Sequence, residues 1–509
     1  MIEKNIVEQS AVALRRLIGA REISPVELLD ACISRIEEIN PRINAVTATC
    51  FERARSEAAR AEAAVMAGKP LNLLHGLPIG IKDLEETEGL LSTYGSAAYR
   101  TNVPSSDNAL VARLRAAGAI VVGKTNVPEM GAGANTRNTV WGATGNPFDP
   151  TLNAGGSSGG SAAALAVDLL PLCSGSDTGG SLRIPAAKCG VVGFRPSPGL
   201  VPSQRKLLGW TPISVVGPMG RTMEDVVLQL RASVGLHPGD PLSYPSSASD
   251  FAALEALDLS TLRVGYTEDF GLCEVDEDIR KLFRVKMAAM RHLFHSCEEI
   301  RPDLGDAHRC FDVLRAESFV AGFEAAYKRD PSSLGPNTRA NYEMGAAMSL
   351  ADTAWAGAEQ TRLFRRFQAL FDSYDLILSP TTPVSPFPWT DLYLKEVNGV
   401  ALENYYRWLS LTYVVTLATN PALSLPCGVD QKGMPFGLQV VGGFRKDAYL
   451  LACASSLERA FAADPVLRRP RPDLEKLRQS NVDLKSIVTD PPYDNPSGYA
   501  SGQGGASAV

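Results

Sequence analysis

The chain has 509 residues, of which 45% are hydrophobic and 21% are charged, a balance typical of soluble globular proteins and unlike that of disordered chains. Fifty basic and 56 acidic residues give a net charge of −6 without a Lys/Arg-rich block, so nucleic acid is not an expected partner. The first ten residues are polar, and no apolar run approaches the roughly 20 residues of a membrane span. These features predict a cytoplasmic protein without membrane contact.

The cysteines are scattered and odd in number, and they form no C-x-x-C pair and no cluster with histidines. Free cysteines are among the most frequently buried residues, so reduced thiols in the core are expected. No metal site is predicted from this pattern. The nine positions are Cys32, Cys50, Cys173, Cys189, Cys273, Cys297, Cys310, Cys427 and Cys453.

The first 70 residues have a helical pattern. Ser24 and Pro25 form a helix start, with the serine as N-cap and the proline at the first helical position, and apolar residues follow at helical spacing. Residues 1–70 are therefore predicted to be helices that pack on the rest of the protein.

From residue 77 onward, short apolar runs alternate with helical patterns. Residues 77–81 and 119–123 are predicted strands, with a helix over 108–117 between them. The second half repeats this alternation, with strands over 262–266, 376–378 and 436–441 and a helix over 276–294. The pattern is typical of an α/β fold with a buried sheet. No linker interrupts residues 71–465, and residues 466–509 are predicted to be a tail that is largely flexible from about residue 490.

Two glycine pairs lead directly into serines, in residues 155–161 (GGSSGGS) and 177–185 (DTGGSLRIP). Glycine pairs allow the backbone to adopt positive φ and to approach a ligand closely. Most Gly/Ser runs are flexible loops, but the first of these continues into the strong helix former 162–167, so it ends at a helix amino terminus. Both segments are candidate sites.

Other motif interpretations are weaker. Residues 175–180 have the spacing of a phosphate-binding loop, but Ser181 stands where that motif needs a lysine. Residues 155–159 match G-x-S-x-G but follow a polar segment instead of a buried strand, and residues 203–206 match S-x-x-K without an S-D-N triplet.

The candidate general bases are few. Five histidines are present, and His75 is the one nearest to the apolar run 77–81, which ends at Lys82. A buried lysine has a lowered pKa, so its neutral amine can accept a proton near neutral pH. A surface position for Lys82 is the alternative, and a Ser-His-Asp triad is not excluded by counting.

The sequence resembles the amidase signature family. The resemblance rests on residues 80–83 (GIKD), 123–126 (GKTN), 155–161, 177–185 and 189–190 (CG), and on residues 379–383 (SPTTP) and 420–428 (NPALSLPCG) downstream. It covers the chain to about residue 465. It implies a single large α/β/α domain around a mixed, mostly parallel twisted sheet, with 71–465 as the catalytic domain and without a cofactor.

By the same resemblance, Ser181 would be the nucleophile that forms an acyl-enzyme, Ser157 would follow a cis peptide and relay the proton, and Lys82 would accept it. The backbone N–H groups of Thr178, Gly179, Gly180 and Ser181 would form the oxyanion hole. Asp177 and Arg183 are interpreted as a structural pair that shapes the loop.

The expected activity is hydrolysis of a small carboxylic amide, with an aryl or apolar amide, ester or carbamate as the candidate substrate. Gly131, Trp141, Phe387 and Trp389 are the candidate substrate-binding residues. The helices before the first strand suggest an outer layer or an oligomer contact, so a homodimer is a candidate assembly.

The main alternative is the glutaminase subunit of a tRNA-dependent amidotransferase. Those relatives carry a basic helix in the region of residues 334–343, and this chain departs from that pattern. A non-catalytic scaffold and an unrelated esterase that acylates Ser157 are the remaining alternatives.

Overall fold

The computed structural model describes residues 6–252, 254 and 256–492. The α-helices of these residues are Ala11–Gly19 (α1), Pro25–Ile43 (α2), Phe51–Met66 (α3), Ala109–Ala116 (α4), Gly159–Ala166 (α5), Arg183–Cys189 (α6), Met223–Ser233 (α7), Glu277–Met290 (α8), Ala307–Arg329 (α9), Pro336–Ala346 (α10), Leu350–Ala369 (α11), Ser410–Leu417 (α12), Asp447–Ala463 (α13) and Leu474–Arg478 (α14). Short 3₁₀ helices are Ile6–Glu8, Ala97–Tyr99, Glu129–Gly131, Ala248–Phe251, Leu259–Thr261, Arg291–Leu293, Pro331–Ser333, Leu370–Asp372 and Arg407–Leu409.

One eleven-stranded sheet organises the molecule. Its strands are Val46–Thr49 (β1), Pro78–Lys82 (β2), Ile120–Thr125 (β3), Leu172–Asp177 (β4), Val192–Arg195 (β5), Val215–Gly220 (β6), Arg263–Tyr266 (β7), Ser296–Glu299 (β8), Leu376–Pro380 (β9), Ala422–Val429 (β10) and Pro435–Val441 (β11). Across the sheet their order is β1-β3-β2-β4-β6-β5-β10-β11-β9-β7-β8. Two small ribbons pair Arg137–Asn138 with Gly142–Ala143 and Glu396–Val397 with Val400–Ala401.

The sheet is mixed, which confirms the expected α/β class, but it is not mostly parallel. Four neighbouring pairs are parallel, namely β2–β3, β2–β4, β7–β8 and β7–β9, and the other six are antiparallel. The physical reason is the chain path in the centre of the sheet. A short turn joins β10 to β11, and only antiparallel strands can be connected so briefly.

The predicted elements lie where local signals place them. Ser24 caps α2 in a capping box with Glu27, and Pro25 is its first residue. Asn108 caps α4 by accepting from the Val111 N–H group. The predicted strands correspond to β2, β3, β7, β9 and β11, with ends that differ by at most two residues. These signals are local, so the sequence is sufficient to predict them.

The central strands are buried on both faces. Every residue of β2, β3, β6 and β11 is buried, so helices must cover both sides of the sheet. All nine cysteines are free, and all but Cys297 are buried. This arrangement produces the expected α/β/α layering, with the loops at the strand ends left to carry chemistry.

The chain beyond residue 466 packs on the body as far as it is described. Leu477 of α14 is buried, and Leu484 packs on Ala143 and Trp389. The prediction of flexibility concerns residues from about 490, and those after 492 lie outside the described residues. Across 6–252, 254 and 256–492, no helix combines the length and apolar character required to cross a bilayer.

Candidate active site

Lys82 lies at the carboxyl end of β2, beside the end of β4. The two strands are parallel, with Ile79 opposite Leu172 and Gly80 opposite Cys173. Parallel strands finish at the same edge of a sheet, so Lys82 meets the residues at the end of β4. Its side chain is fully buried.

The Lys82 amine lies within hydrogen-bond distance of three serine hydroxyls. Its Nζ lies 2.8 Å from Ser157 Oγ, 2.7 Å from Ser158 Oγ and 2.9 Å from Ser176 Oγ. In the described part of the chain it forms no salt bridge. Burial therefore lowers the pKa of Lys82 to about 7, although the charge of Glu85 opposes this. An amine with this pKa is available in its neutral form near neutral pH.

Ser157 lies at the junction of the first glycine-rich segment and α5. The Gly156–Ser157 peptide bond is cis, as the resemblance implies, and Ser158 is the N-cap residue of α5. Ser157 is 3% exposed and lines a cavity together with Ser181. One hydroxyl therefore contacts both the lysine amine and the space next to Ser181.

Asp177 and Arg183 form the pair expected from the sequence, within a larger buried cluster. Arg183 donates to both carboxylate oxygens, from Nε at 3.0 Å and from Nη2 at 2.9 Å. Arg195 adds a contact from Nη1 to Oδ1 at 3.1 Å. Burial alone would raise the pKa of Asp177, but the two guanidinium charges outweigh it and hold that pKa far below its ordinary value. The loop that carries Ser181 therefore starts from a fixed ion cluster.

The loop from Thr178 to Ser181 depends on its glycines. Gly180 has φ +122°, and a Cβ there would lie 2.2 Å from Thr412 Oγ1. Its N–H group donates to Asp177 Oδ1 at 2.9 Å. In the described residues, the N–H groups of Gly179 and Ser181 have no hydrogen-bond acceptor. Of the four N–H groups predicted for an oxyanion hole, the one on Gly180 is thus already engaged.

Ser181 opens into a cavity of about 390 Å³, which is within the usual range for small-molecule sites. Gly131 lines it, and a Cβ at this position would lie 2.8 Å from Leu84 Cδ1 and 3.4 Å from Ser157 Oγ. The cavity is lined by Leu84, Met130, Gly131, Gly133, Ser157, Ser176, Thr178, Gly179, Ser181, Arg205, Lys206, Leu207, Leu208, Thr211, Ser214, Arg315, Ser318, Phe319, Phe323 and Leu409.

The three aromatic residues proposed from the sequence do not line this cavity. Trp141 donates from its indole N–H to Thr93 Oγ1 at 2.9 Å. Phe387 packs edge-to-face on Trp408, and Trp389 packs on Leu484. Phe387 and Trp389 are thus buried against neighbouring side chains of the body, and Trp141 is held by a hydrogen bond, so none of the three rings is at this cavity wall.

Changing Trp389 to alanine is therefore expected to destabilise the protein without changing its selectivity. The ratio of kcat/KM for aryl and short aliphatic amides should stay at the wild-type value, whereas Phe319→Ala should shift it by roughly tenfold because Phe319 lines the cavity. A shifted ratio in the Trp389 variant would instead place that residue at the substrate.

Sequence reasoning missed several residues of the site. Ser158 follows Ser157 in the sequence, and Ser176 precedes Asp177. This adjacency to residues named from the motifs was the signal available in the sequence. Arg315 and Phe319 belong to α9 and have no local motif. Their position became visible only when α9 was placed against the loop of Ser181.

Comparison with known proteins agrees with this geometry. A family model described as Amidase matches residues 27–451. A glutamyl-tRNA(Gln) amidotransferase subunit of Acaryochloris marina (strain MBIC 11017) is 33% identical over 477 residues, covering 89% of this chain and 98% of the relative. The acylamidase of Rhodococcus erythropolis is 32% identical over 467 residues, covering 90% and 96% respectively.

A solved bacterial aryl acylamidase of the amidase signature enzymes superposes with a TM-score of 0.83 at 28% identity, covering 90% of this chain and 96% of that one. The 6-aminohexanoate cyclic dimer hydrolase superposes with a TM-score of 0.78 at 27% identity, covering 91% and 99%. The matches extend from the amino-terminal helices through the segments that carry Lys82, Ser157 and Ser181. The chain belongs to the amidase signature family of amide hydrolases.

Proposed function

We propose that the protein hydrolyses an aryl or apolar carboxylic amide through an acyl-enzyme on Ser181. The observation that carries this proposal is the buried Lys82 amine, which lies 2.8 Å from Ser157 Oγ at the wall of the cavity that Ser157 shares with Ser181. A serine hydroxyl is a weak nucleophile until a base takes its proton. A neutral lysine supplies that base.

In acylation, the Ser181 Oγ attacks the amide carbon while its proton passes to Ser157 and the Ser157 proton passes to Lys82. A hydroxyl both donates and accepts, so Ser157 can serve as this relay. The C–N bond then breaks as the relay runs backwards and protonates the leaving nitrogen. A water molecule attacks the acyl-enzyme by the same route, and it releases the carboxylic acid and restores Ser181.

The negative charge that develops on the carbonyl oxygen needs donors. The N–H groups of Gly179 and Ser181 are the proposed donors, with Thr178 beside them, because they are not hydrogen-bonded within the described chain. Gly180 is proposed to contribute mainly by the backbone conformation that it allows, because its N–H group already donates to Asp177. Loss of one such donor typically costs about 3 to 4 kcal/mol in the transition state.

The preference for aryl or apolar groups is supported by the cavity wall. Seven of its side chains are apolar, namely Leu84, Met130, Leu207, Leu208, Phe319, Phe323 and Leu409. The aryl acylamidase that superposes on this chain supports the same substrate class. Esters and carbamates present the same carbonyl geometry and are proposed as secondary substrates.

Glutamine is a poorer match for this cavity than an apolar amide. Its α-ammonium group would require a carboxylate, and among the residues that the structure describes no Asp or Glu lines the cavity. The wall instead carries Arg205, Lys206 and Arg315. The similarity to amidotransferase subunits therefore supports the shared chemistry and not the shared substrate.

A fluorophosphonate label tests the proposed nucleophile. The adduct is expected on Ser181 by peptide mass, and it should be absent in Ser181→Ala and strongly slowed in Lys82→Ala. The same preparation should hydrolyse acetanilide faster than glutamine without any added partner protein.

An adduct on Ser157 alone would support the esterase alternative, and no serine adduct would support the scaffold. Hydrolysis of glutamine with little activity on anilides would favour the amidotransferase alternative. The first two outcomes contradict the proposed mechanism, and the third contradicts the proposed substrate.

A further inference from the structure

Arg315 is an unusual charge in the wall of the cavity. Its side chain is only 7% exposed, yet it lines the same cavity as Ser181. Its Nη2 donates to the Tyr405 hydroxyl at 2.6 Å, and its Nε has no hydrogen-bond partner among the described residues. A buried charge is expected to be paired, because burial removes it from water.

The other buried arginines of the described chain are all paired with carboxylates. Arg183 and Arg195 share Asp177, and their distances to its Oδ1 are 2.9 and 3.1 Å. Arg221 pairs with Asp168, and Arg407 lies 2.8 Å from Asp312 and 2.6 Å from Glu403. In this set of five, Arg315 alone forms no salt bridge with a carboxylate.

Aromatic rings near Arg315 compensate only part of its buried positive charge. The Arg315 guanidinium lies 4.9 Å from the Phe319 ring centroid, 5.1 Å from that of Tyr406 and 5.6 Å from that of Tyr405. Such contacts orient the group and attract its charge, but they are weaker than a direct ion pair. The guanidinium is therefore held in place while its charge is still available to an anion.

The other charged side chains of the cavity wall are also positive. Arg205 pairs with Glu86 across the surface, whereas Lys206 donates from Nζ to Ser214 O at 3.3 Å and forms no salt bridge in the described residues. No carboxylate lines the cavity within the same part of the chain. Arg315 and Lys206 are therefore two cations of the cavity wall that form no salt bridge with a carboxylate in the described residues, although the charge of Asp240 acts on Lys206 from a longer distance.

The position of Arg315 on α9 relates it to the reacting centre. Phe311 lies four residues earlier on the same helix, so the two side chains share one face, about 6 Å apart along the axis. The Phe311 ring would lie 3.2 Å from a Cβ at Gly179, next to Ser181 in the loop. Arg315 thus lies about one helical turn from the loop that holds the nucleophile.

We propose that the substrate is an amide that carries a carboxylate and that Arg315, assisted by Lys206, binds this carboxylate while the amide carbonyl lies at Ser181. This inference rests on the proposed function and adds the charge of the substrate to it. A planar carboxylate matches the planar guanidinium, which can donate parallel N–H groups to its two oxygens. The apolar wall then holds the remainder of the molecule.

Two pairs of anilides test the proposal. N-phenylsuccinamate and N-phenylbutanamide differ by a carboxylate in the acyl part, and 4-acetamidobenzoate and 4-methylacetanilide differ by one in the amine part. The carboxylate member of at least one pair is expected to have the higher kcat/KM. In Arg315→Met the ratio of that carboxylate member to its neutral partner should fall by roughly 30-fold or more, and Arg315→Lys should restore part of it.

Arg309 provides the matched control on the same helix. It pairs with Asp352 at 3.0 Å and stacks over Trp355, and it does not line the cavity. Arg309→Met should leave all four rates at the wild-type level. The proposal would be overturned if the neutral anilide had the higher kcat/KM in both pairs and if Arg315→Met left the ratio of carboxylate to neutral anilide unchanged.

Binding separates this inference from the proposed hydrolysis. In Ser181→Ala, calorimetric titration should show tighter binding of 3-phenylpropanoate than of 3-phenylpropanamide, and Arg315→Met in the same background should abolish the difference. Equal binding of the two compounds would overturn the carboxylate site even where anilide hydrolysis is observed. Carboxylate binding without labelling of Ser181 would leave the site valid and contradict the mechanism.

Discussion

Replacing Lys82 with methionine is expected to lower kcat/KM for amide hydrolysis by about 10²- to 10⁴-fold, the range that a positioned general base contributes. The amine lies 2.8 Å from Ser157 Oγ and forms no salt bridge in the described chain, so its proposed role is to exchange a proton and not to balance a charge. Single-turnover measurements should place the loss in the acylation step.

The pH dependence provides a second readout of the same amine. The proposed base is the neutral form, and the pKa of Lys82 is lowered to about 7 by burial. The wild-type kcat/KM should therefore rise with pH through about 7 and level off above it. The residual activity of Lys82→Met should lack this inflection, and an inflection that persists unchanged would assign it to another group.

Lys188 is the matched control for Lys82. Both lysines are buried, and burial lowers the pKa of Lys188 to about 7 as well. Its Nζ lies 4.5 Å from the Phe387 ring centroid, and it does not line the cavity of Ser181. Lys188→Met should keep the wild-type rate and the wild-type pH profile. Equal losses in both variants would indicate a general effect of removing a buried amine.

The stability of the Lys82 variant should depend on pH in a defined direction. Between the folded pKa of about 7 and the ordinary value of 10.5, the unfolded chain binds a proton that the folded chain does not. The amine therefore destabilises the wild type progressively as pH falls from about 10 to about 7. Relative to the wild type, Lys82→Met should gain stability over this interval, which thermal unfolding at pH 7 and pH 9 can measure.

Changing Asp177 to asparagine is expected to lower the free energy of unfolding by about 3 to 5 kcal/mol, because it leaves two buried guanidinium groups without their carboxylate. Arg183 and Arg195 are both fully buried and have this one partner for a salt bridge within the described residues. Because Gly180 donates to the same carboxylate, labelling of Ser181 should also slow. Urea unfolding and label kinetics measure the two effects.

The stabilising effect of Asp177 should persist into mild acid. The guanidinium charges hold its pKa far below the ordinary value, so the stabilisation is present above the unfolded pKa and is lost only as pH approaches the folded one. The difference between wild type and Asp177→Asn should therefore be similar at pH 8 and pH 5. A difference that vanishes by pH 5 would contradict the ion-pair explanation.

Asp447 gives the comparison for a buried carboxylate that forms no salt bridge in the described part of the chain. It accepts hydrogen bonds from Ser197, from the N–H group at 2.8 Å and from the hydroxyl at 2.6 Å, and burial raises its pKa. Asp447→Asn should cost much less than Asp177→Asn. Equal costs would show that the two arginines are not the source of the effect.

Much of the fold was predictable because its signals are local. The cap at Ser24, the helix predicted over 108–117 and the apolar runs of β2 and β3 each depend on neighbouring residues, and all were predicted from the sequence. The direction of the central strands was not predictable in this way. It depends on how distant segments pair, and the prediction of a mostly parallel sheet was wrong for that reason.

The candidate site shows the same difference between residues that local motifs identify and residues whose position depends on distant segments. Lys82, Ser157 and Ser181 were named from motifs, and the structure brings Lys82 and Ser157 into contact although they are 75 positions apart. The aromatic residues Phe387 and Trp389 were chosen by residue type and by their place after a Pro-rich loop. Residue type indicates that a ring is buried, but it does not indicate which surface buries it.

By itself, the sequence determined the family of this protein, and the reaction class that this resemblance implies, because the motifs that carry the resemblance are written along the chain. Only the tertiary structure decided what the reaction site can hold. Arg315 meets Tyr405 across 90 positions and lies in the cavity wall without a carboxylate partner among the described residues. The sequence cannot show that Arg315 forms no salt bridge, because its neighbours come from distant segments that only the folded chain brings together.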